Sequence, residues 1–298
     1  MNVAIYSRTP LAAAPLELWK NLCRYTDIKT RLINNTNRYS DGRSFPFDLM
    51  AGSPEAEAFI DSADIIHIHN YLLPPLEERL RLGDKQSRTM AQFHSLPRMG
   101  EWTRLWNFTP NRFTIRQPLQ MEEYKIPDLP NMIDPDEYRP NRRTIGAPIR
   151  IAFAPTTKAA IGHPASKGYA EVKEVLDKVA RIRAVEIVWI EGMGYEDNLK
   201  KKATADILID DVITGNFHRT SLEGACFACA VLNACRKFPW IYTTIKTLEA
   251  ELIELIDHAP ALRLHQEITR AWIECEWHPI EQTKEYEAAY KRILNDTH

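Results

Sequence analysis

The feature that most limits what this chain can fold into is an alternation, run through twice. Apolar runs of strand length are followed by amphipathic helical stretches from Asn2 to His94, and the pattern returns from Ile149 to Ala234. "NVAIYS" reads as a short buried strand. Behind it Pro15 suits a first helical turn, and Leu16, Trp19, Leu22 and Cys23 recur at helical spacing. "IKTRLI" is a second strand. "SPEAEAFIDSA" carries a Ser cap, a Pro and acids in its first turn, so it opens a helix. "DIIHIH" is a strand, "PPLEERLRL" a helix and "SRTMAQFH" a strand. Strands joined through helices lie parallel, with helices on both faces of the sheet.

Residues 126–150 break the rhythm. "IPDLPNMIDPDEYRPNRRTIGAP" holds five prolines and little periodicity, as a linker does. After it come a strand "IRIAFAP", a helix "KGYAEVKEVLDKVARI", a strand "AVEIVWIEG", a helix "YEDNLKKKA" and a strand "ADILIDD". A helix "SLEGACFACA" and a strand "VLNA" follow, and the last fifty residues are helical. We expect two doubly wound α/β domains, 1–147 and 148–298, facing each other across a cleft. Ligands of such sheets bind beyond the carboxyl ends of the strands. That singles out Ser7-Arg8, His69-Asn70, His94-Ser95, Pro155-Thr156, Glu191-Gly192 and Asp210-Asp211.

Composition excludes several classes. A formal charge of -2, spread evenly, gives no general basis for nucleic-acid binding. No apolar run approaches the roughly 20 residues of a membrane span, and no signal peptide is visible. Five cysteines, an odd number without a secretion signal, are expected as reduced thiols in the cytoplasm. "CFAC", Cys226 to Cys229, has metal-ligand spacing. It lies in an apolar helical run without a second ligand pair, and we read it as buried thiols. His163 and His218 read equally well as loop residues or ligands. Glycines number only 11, so each marks a backbone requirement.

Residues 205–234, "ADILIDDVITGNFHRTSLEGACFACAVLNA", resemble the nucleotide-sugar motif of family-4 glycosyltransferases, close to E-G-F-G-x-x-x-L-E-A-M-A-x-G-x-P-V. Glu223 falls on the second Glu, which in that family accepts the ribose hydroxyls; a carboxylate can take two hydrogen bonds from a cis-diol. The helix opening near Ser221 would aim its amides at the diphosphate. Gly215 stands at the first Glu position, with His218 and Arg219 in the loop between. Lys167-Gly168 matches the family's Lys-Gly before a helix, and Lys158 is a looser match to its first basic residue. Cations there would stabilise a departing diphosphate. "IPDLPNMIDPDEYRP" is similar to the family's interdomain element, with Met132 in place of its Gly. "TPLAAAPLEL" stands where the family has Gly-Gly. His94 matches a His near the donor sugar, and the final helix resembles one that packs back on the first domain.

The resemblance implies the GT-B fold, two Rossmann-like domains. It implies a retaining, metal-independent hexosyltransferase in the cytoplasm (the host's, if a phage encodes it). The donor is a nucleotide-diphosphate sugar such as a UDP-sugar, a co-substrate, with no cofactor. His94 is the catalytic candidate. Glu223, Lys167, Gly168, Lys158, Ser221, Arg219, His218 and Gly215 are the donor-side candidates, and Arg8, His69 and Asn70 the acceptor-side ones. The acceptor hydroxyl belongs to an envelope glycan or to a hydroxymethylated base in phage DNA. DNA would use residues 102–118, where Arg104, Arg112 and Arg116 interleave with Trp102, Trp106, Phe108 and Phe113. The same residues also read as an amphipathic helix and a strand. Two further readings stay open: a non-catalytic binder of sugar nucleotides or glycans, favoured by Gly215, and a nucleotide-sugar epimerase. In "DIIHIHN" strand alternation puts His67 and His69 on one face. His67 reads as a hydrogen-bonded core residue, and His69 with Asn70 as a wall of the cleft.

Overall fold

The computed structural model describes residues 1–39, 42–96, 102–141, 147–155, 158–162, 166–237 and 239–296. His163 and Thr156 lie outside them. The chain divides into two compact units. Unit 1 is Met1–Ile133 together with Pro279–His298, and unit 2 is Asp134–His278.

Unit 1 contains β1 (Asn2–Ser7), α1 (Ala14–Tyr25), β2 (Lys29–Asn34), β3 (Leu49–Met50), α2 (Pro54–Ser62) and β4 (Ile65–His69). Then come α3 (Pro74–Leu82), β5 (Thr89–Phe93), α4 (Thr103–Phe108), β6 (Asn111–Ile115), α5 (Pro118–Tyr124) and β7 (Asp128–Leu129). The strands form one sheet in the order β3-β2-β1-β4-β5-β6-β7, and every pairing is parallel. The direction of winding reverses between β1 and β4. Unit 2 contains β8 (Ile149–Phe153), α6 (Tyr169–Ile182), β9 (Val185–Trp189), α7 (Tyr195–Lys202), β10 (Ile207–Ile209) and α8 (Arg219–Cys226). β11 (Ala230–Asn233), β12 (Ile241–Tyr242), α9 (Leu248–Asp257) and α10 (Ala259–Cys275) complete it. Its parallel sheet runs β12-β11-β10-β8-β9 and reverses between β8 and β10. The last helix, α11 (Pro279–Asn295), belongs to unit 1.

Side-chain alternation on β4 explains both faces of the first sheet. Ile66 and Ile68 join Ala4, Tyr6, Ala91 and Phe93 in a core closed by Ile60 of α2 and by Leu76 and Leu80 of α3. His67 and His69 point the other way, and there α11 is tied down by buried polar contacts. Tyr290 Oη lies 2.9 Å from His67 Nδ1. Gln92 Nε2 donates to Tyr286 Oη at 2.9 Å, and Tyr286 Oη donates to the Pro130 carbonyl at 2.8 Å. In unit 2, Ile151, Phe153, Ile207, Ile209 and Leu232 pack against Val172, Leu176 and Val179 of α6 and Leu248, Leu252 and Leu255 of α9.

The 102–118 segment is α4 and β6, and its arginines have partners within unit 1. Arg104 pairs with Glu77 at 2.7 Å, and Arg112 lies over the Trp106 ring at 4.5 Å. Arg116 pairs with Asp128 and, at 2.5 Å, with Glu285. Trp102 and Trp106 pack with Phe93 and Tyr124, while Phe108 and Phe113 are buried. The arginines that interleave with aromatics in the sequence are thus engaged locally, Arg104 and Arg116 in ion pairs and Arg112 over a ring. The helix expected over 221–230 starts earlier, at Arg219, and stops at Cys226. Ala228 then turns the chain with φ 53°. Cys226, Cys229 and Cys235 are buried free thiols, and Cys229 Sγ donates to the Ala205 carbonyl. Among the described residues, no helix is long and apolar enough to cross a membrane.

Candidate functional site

The strand order reverses between β8 and β10, and the carboxyl edge of an open α/β sheet at such a reversal is the usual place for a ligand. Most donor-side candidates gather there, around Asp210 just after β10. Lys167 Nζ donates to Asp210 Oδ1 at 2.5 Å. Asp210 Oδ2 accepts from Ser221 Oγ at 2.7 Å and from the His218 amide at 2.8 Å, so it caps α8. Burial pushes this carboxyl up. The Lys167 and His218 charges and the hydrogen bonds from Lys167 and Ser221 outweigh that, and it sits well below the usual range. Asp211 holds the next turn through the amides of Ile213 and Thr214, and its Oδ2 is 3.1 Å from His218 Nε2.

Glu223, one turn into α8, is also enclosed. Its Oε2 accepts from Lys202 Nζ at 2.5 Å and its Oε1 from Arg219 Nε at 3.1 Å, and all three side chains are 5% exposed. Lys202 and Asp210 are therefore parts of this site that the motif did not bring forward as binding groups. The cations expected to face a diphosphate are held by acids of the fold itself. Lys158 is the exposed one, 64% accessible, pairing with Glu191 at 2.8 Å and lying over the Tyr169 ring. His218 is about one-third exposed.

Two glycines have backbone reasons. Gly168, ahead of α6, has φ +69°, and a Cβ there would sit 2.8 Å from Ile213 Cδ1. Gly215 has φ +80°, and a Cβ there would meet the Ala234 carbonyl only at an ordinary 3.8 Å, so the left-handed backbone, and not crowding, opposes the Glu of the motif.

At the carboxyl edge of the unit 1 sheet the reversal lies between β1 and β4. Arg8 follows β1 and stacks over the Tyr71 ring at 5.5 Å. The next segment, where the motif has Gly-Gly, takes the conformation glycine favours without glycine. Leu11, Ala12 and Ala13 have φ of 45°, 51° and 68°. His69 and Asn70 are 1% exposed, so neither presents an open wall. Asn70, at φ 61°, accepts the His94 amide on Oδ1 at 2.6 Å and donates from Nδ2 to Ser95 Oγ at 2.9 Å. The His94 carbonyl accepts from Gln120 Nε2 at 3.0 Å. His94 is half-buried, and its Nε2 lies 2.8 Å from His69 Nδ1. Burial, with the neighbouring imidazoles, lowers His67 to about 3 and His69 well below its ordinary value; burial alone lowers His94 to about 3.

Two features escaped the sequence. A cavity of about 330 Å³ in unit 1 is lined by Tyr6, Asn35, Gly52, Glu57, Leu76 and Arg79, among others. Burial, then the Glu57 charge, pushes the Tyr6 hydroxyl up to about 12. In unit 2, Asp134, Asp136 and His278 bring three metal-ligand atoms within 4.8 Å of one another.

Two parallel-sheet α/β units with these strand orders make the GT-B fold, and solved structures agree. Sucrose-phosphate synthase from Thermosynechococcus elongatus aligns with a TM-score of 0.60 at 10% identity, over 99% of this chain and 100% of that one. The catalytic domain of starch synthase IV from Arabidopsis thaliana, bound to ADP and acarbose, aligns with a TM-score of 0.59 at 11% identity, over 99% of both chains. UDP-GlcNAc 2-epimerase from Neisseria meningitidis, bound to UDP-GlcNAc, aligns with a TM-score of 0.52 at 10% identity, over 98% and 100%. At these identities the likeness is one of fold. No family model and no curated protein sequence matches the chain.

Proposed function

We propose that the chain is a glycosyltransferase that takes a nucleotide-diphosphate sugar on unit 2 and passes the sugar to a hydroxyl acceptor. The observation that carries the reading is the gathering of Lys167, Gly168, His218, Arg219, Ser221 and Glu223 at the β8/β10 reversal of a GT-B fold. Lys158 and His218, the accessible cationic and imidazole groups, face the diphosphate. Glu223 takes the ribose diol by exchanging its longer bond, the 3.1 Å one to Arg219. Anomeric configuration is retained and no metal is required: the departing phosphate accepts the proton of the attacking hydroxyl. Arg8 stands on the acceptor side, and His94, as the resemblance implies, serves the donor sugar. Arg104, Arg112 and Arg116 are engaged within unit 1 and lend no support to DNA as that acceptor.

The test is a panel of nucleotide sugars, each incubated with a lipid-linked glycan, with hydroxymethylated DNA and with no acceptor. Mass analysis of acceptors and detection of released nucleotide give the readout. Acceptor-dependent release supports transfer. Isomerisation of the sugar without release establishes an epimerase instead. Binding with neither leaves a binding protein, the outcome that Gly215 at the motif's first Glu position favours. Absence of binding to any nucleotide sugar overturns all three. Glu223→Gln, which keeps the side chain's shape, is expected to weaken donor binding at least tenfold. Unchanged affinity removes Glu223 from the site.

A further inference from the structure

We infer that His69 fixes the tautomer of His94, so that His94 presents an Nδ1–H donor at the end of β5 and is not a general base. The inference concerns the free protein and does not rest on the proposed function.

The rings of His67 and His69 stack with centroids 4.3 Å apart, and the His69 ring lies 5.0 Å from that of His94. His67 and His69 are buried and His94 is half-buried beside them; an imidazolium in this group would face other imidazoles away from water, so the rings are neutral. In a neutral pair, the 2.8 Å contact between His69 Nδ1 and His94 Nε2 needs one N–H and one lone pair. The other nitrogen of His69 decides which. Its Nε2 is buried and has no hydrogen-bond partner among the described residues. A proton there would be an orphaned buried donor, the rarer and more costly kind of unpaired group. The His69 proton therefore sits on Nδ1 and is donated to His94 Nε2. With Nε2 accepting, the proton of His94 lies on Nδ1.

The backbone holds this arrangement in register. The His94 amide and carbonyl are pinned by Asn70 and Gln120, from the end of β4 and from α5. His94 Nδ1 is bonded to no described residue. Presented as N–H, it suits an oxygen with lone pairs: a phosphate oxygen or a sugar hydroxyl. It cannot take a proton, because Nδ1 already carries one and Nε2 is engaged. His69 thus acts as a positioning residue through His94, as outer hydrogen bonds set the tautomer of a ligating histidine.

Long-range ¹H–¹⁵N correlation of the full chain, ¹⁵N-labelled at histidine and free of nucleotide sugar, reads the tautomers directly. His94→Asn identifies the His94 signals. The expected spectrum places the proton on Nδ1 of both His69 and His94. A proton on Nε2 of either ring overturns the inference. His69→Asn puts an amide donor near the place of Nδ1 and is expected to keep His94 as Nδ1–H. His69→Asp puts an acceptor there and is expected to draw the His94 proton to Nε2; a His94 signal that ignores both replacements also overturns it. Should neither variant fold, the wild-type spectrum decides alone.

Discussion

Glu223→Ala offers the sharpest quantitative test of the unit 2 site. The carboxylate lies between Lys202 and Arg219, each side chain is 5% exposed, and each oxygen accepts one bond, at 2.5 and 3.1 Å. Truncation to Ala leaves a buried ammonium and a buried guanidinium without their shared anion. Breaking a buried pair by removing one partner costs about 3–5 kcal/mol. For a unit of this size that lowers the melting temperature by roughly 6 to 20 °C, at 2–4 °C per kcal/mol. Hydrogen exchange of peptides covering β10, α8 and β11 reports the opening free energy of unit 2 without assuming that both units melt together. A companion variant separates the charge from the packing. Lys202→Met with Glu223→Gln removes one cation and keeps an acceptor for Arg219, so it should recover at least half the loss. A cost below about 1 kcal/mol for Glu223→Ala, or no recovery in the double variant, would refute the argument that this carboxylate is held as a structural counter-ion.

Three other outcomes are expected. His67 and His94 are lowered to about 3 in the fold, against about 6.5 in the unfolded chain. The unfolded state therefore takes up protons first, stability is complete above about pH 6.5, and it is lost as pH falls toward 3, by about 1.4 kcal/mol per pH unit per histidine; a urea midpoint that stays flat from pH 7 to 5 would contradict this. Tyr290→Phe removes the partner of His67 Nδ1 inside unit 1 and should cost about 1–3 kcal/mol, read by urea unfolding, with a null effect counting against the contact. Ala12→Gly or Ala13→Gly relieves a left-handed residue worth about 1–2 kcal/mol while adding about 0.5–1 kcal/mol of unfolded-chain entropy, for a net gain near 0.5–1 kcal/mol; destabilisation by either would show that the methyl groups are needed where they are.

Much of the fold was legible in the sequence because the alternation is long and regular. β1, β2, β4, β5, β8 and β10, and the helices α1, α2, α3 and α6, follow from apolar runs, caps and helical spacing. The two-residue strands β3, β7 and β12 were not legible: they are defined by pairing with a neighbour, which no periodicity records. The start of α8 at Arg219 was missed because its cap is the Asp210 carboxylate, which accepts the His218 amide from 8 positions upstream. The same limit governs the site. The sequence identified Lys167 and Glu223 as charged groups beside a motif. It could not show that Lys167 meets Asp210, 43 positions away, or that Glu223 meets Lys202, 21 positions away. Likewise the His-x-His spacing put two rings on one face of β4, but the partner of the second, His94, comes from the neighbouring strand.

The assignment of α11 to unit 1 has a consequence for synthesis on the ribosome. Unit 2 is an unbroken stretch of chain, and every strand of its sheet has emerged before α11 is made. Unit 1 is assembled from two stretches of chain that unit 2 separates. Until its last helix is translated, His67 and Gln92 lack Tyr290 and Tyr286, and this part of the first sheet is without its buried polar partners. The first unit to begin is thus the last to finish, reversing the N-terminal-first order in which contiguous domains fold during translation.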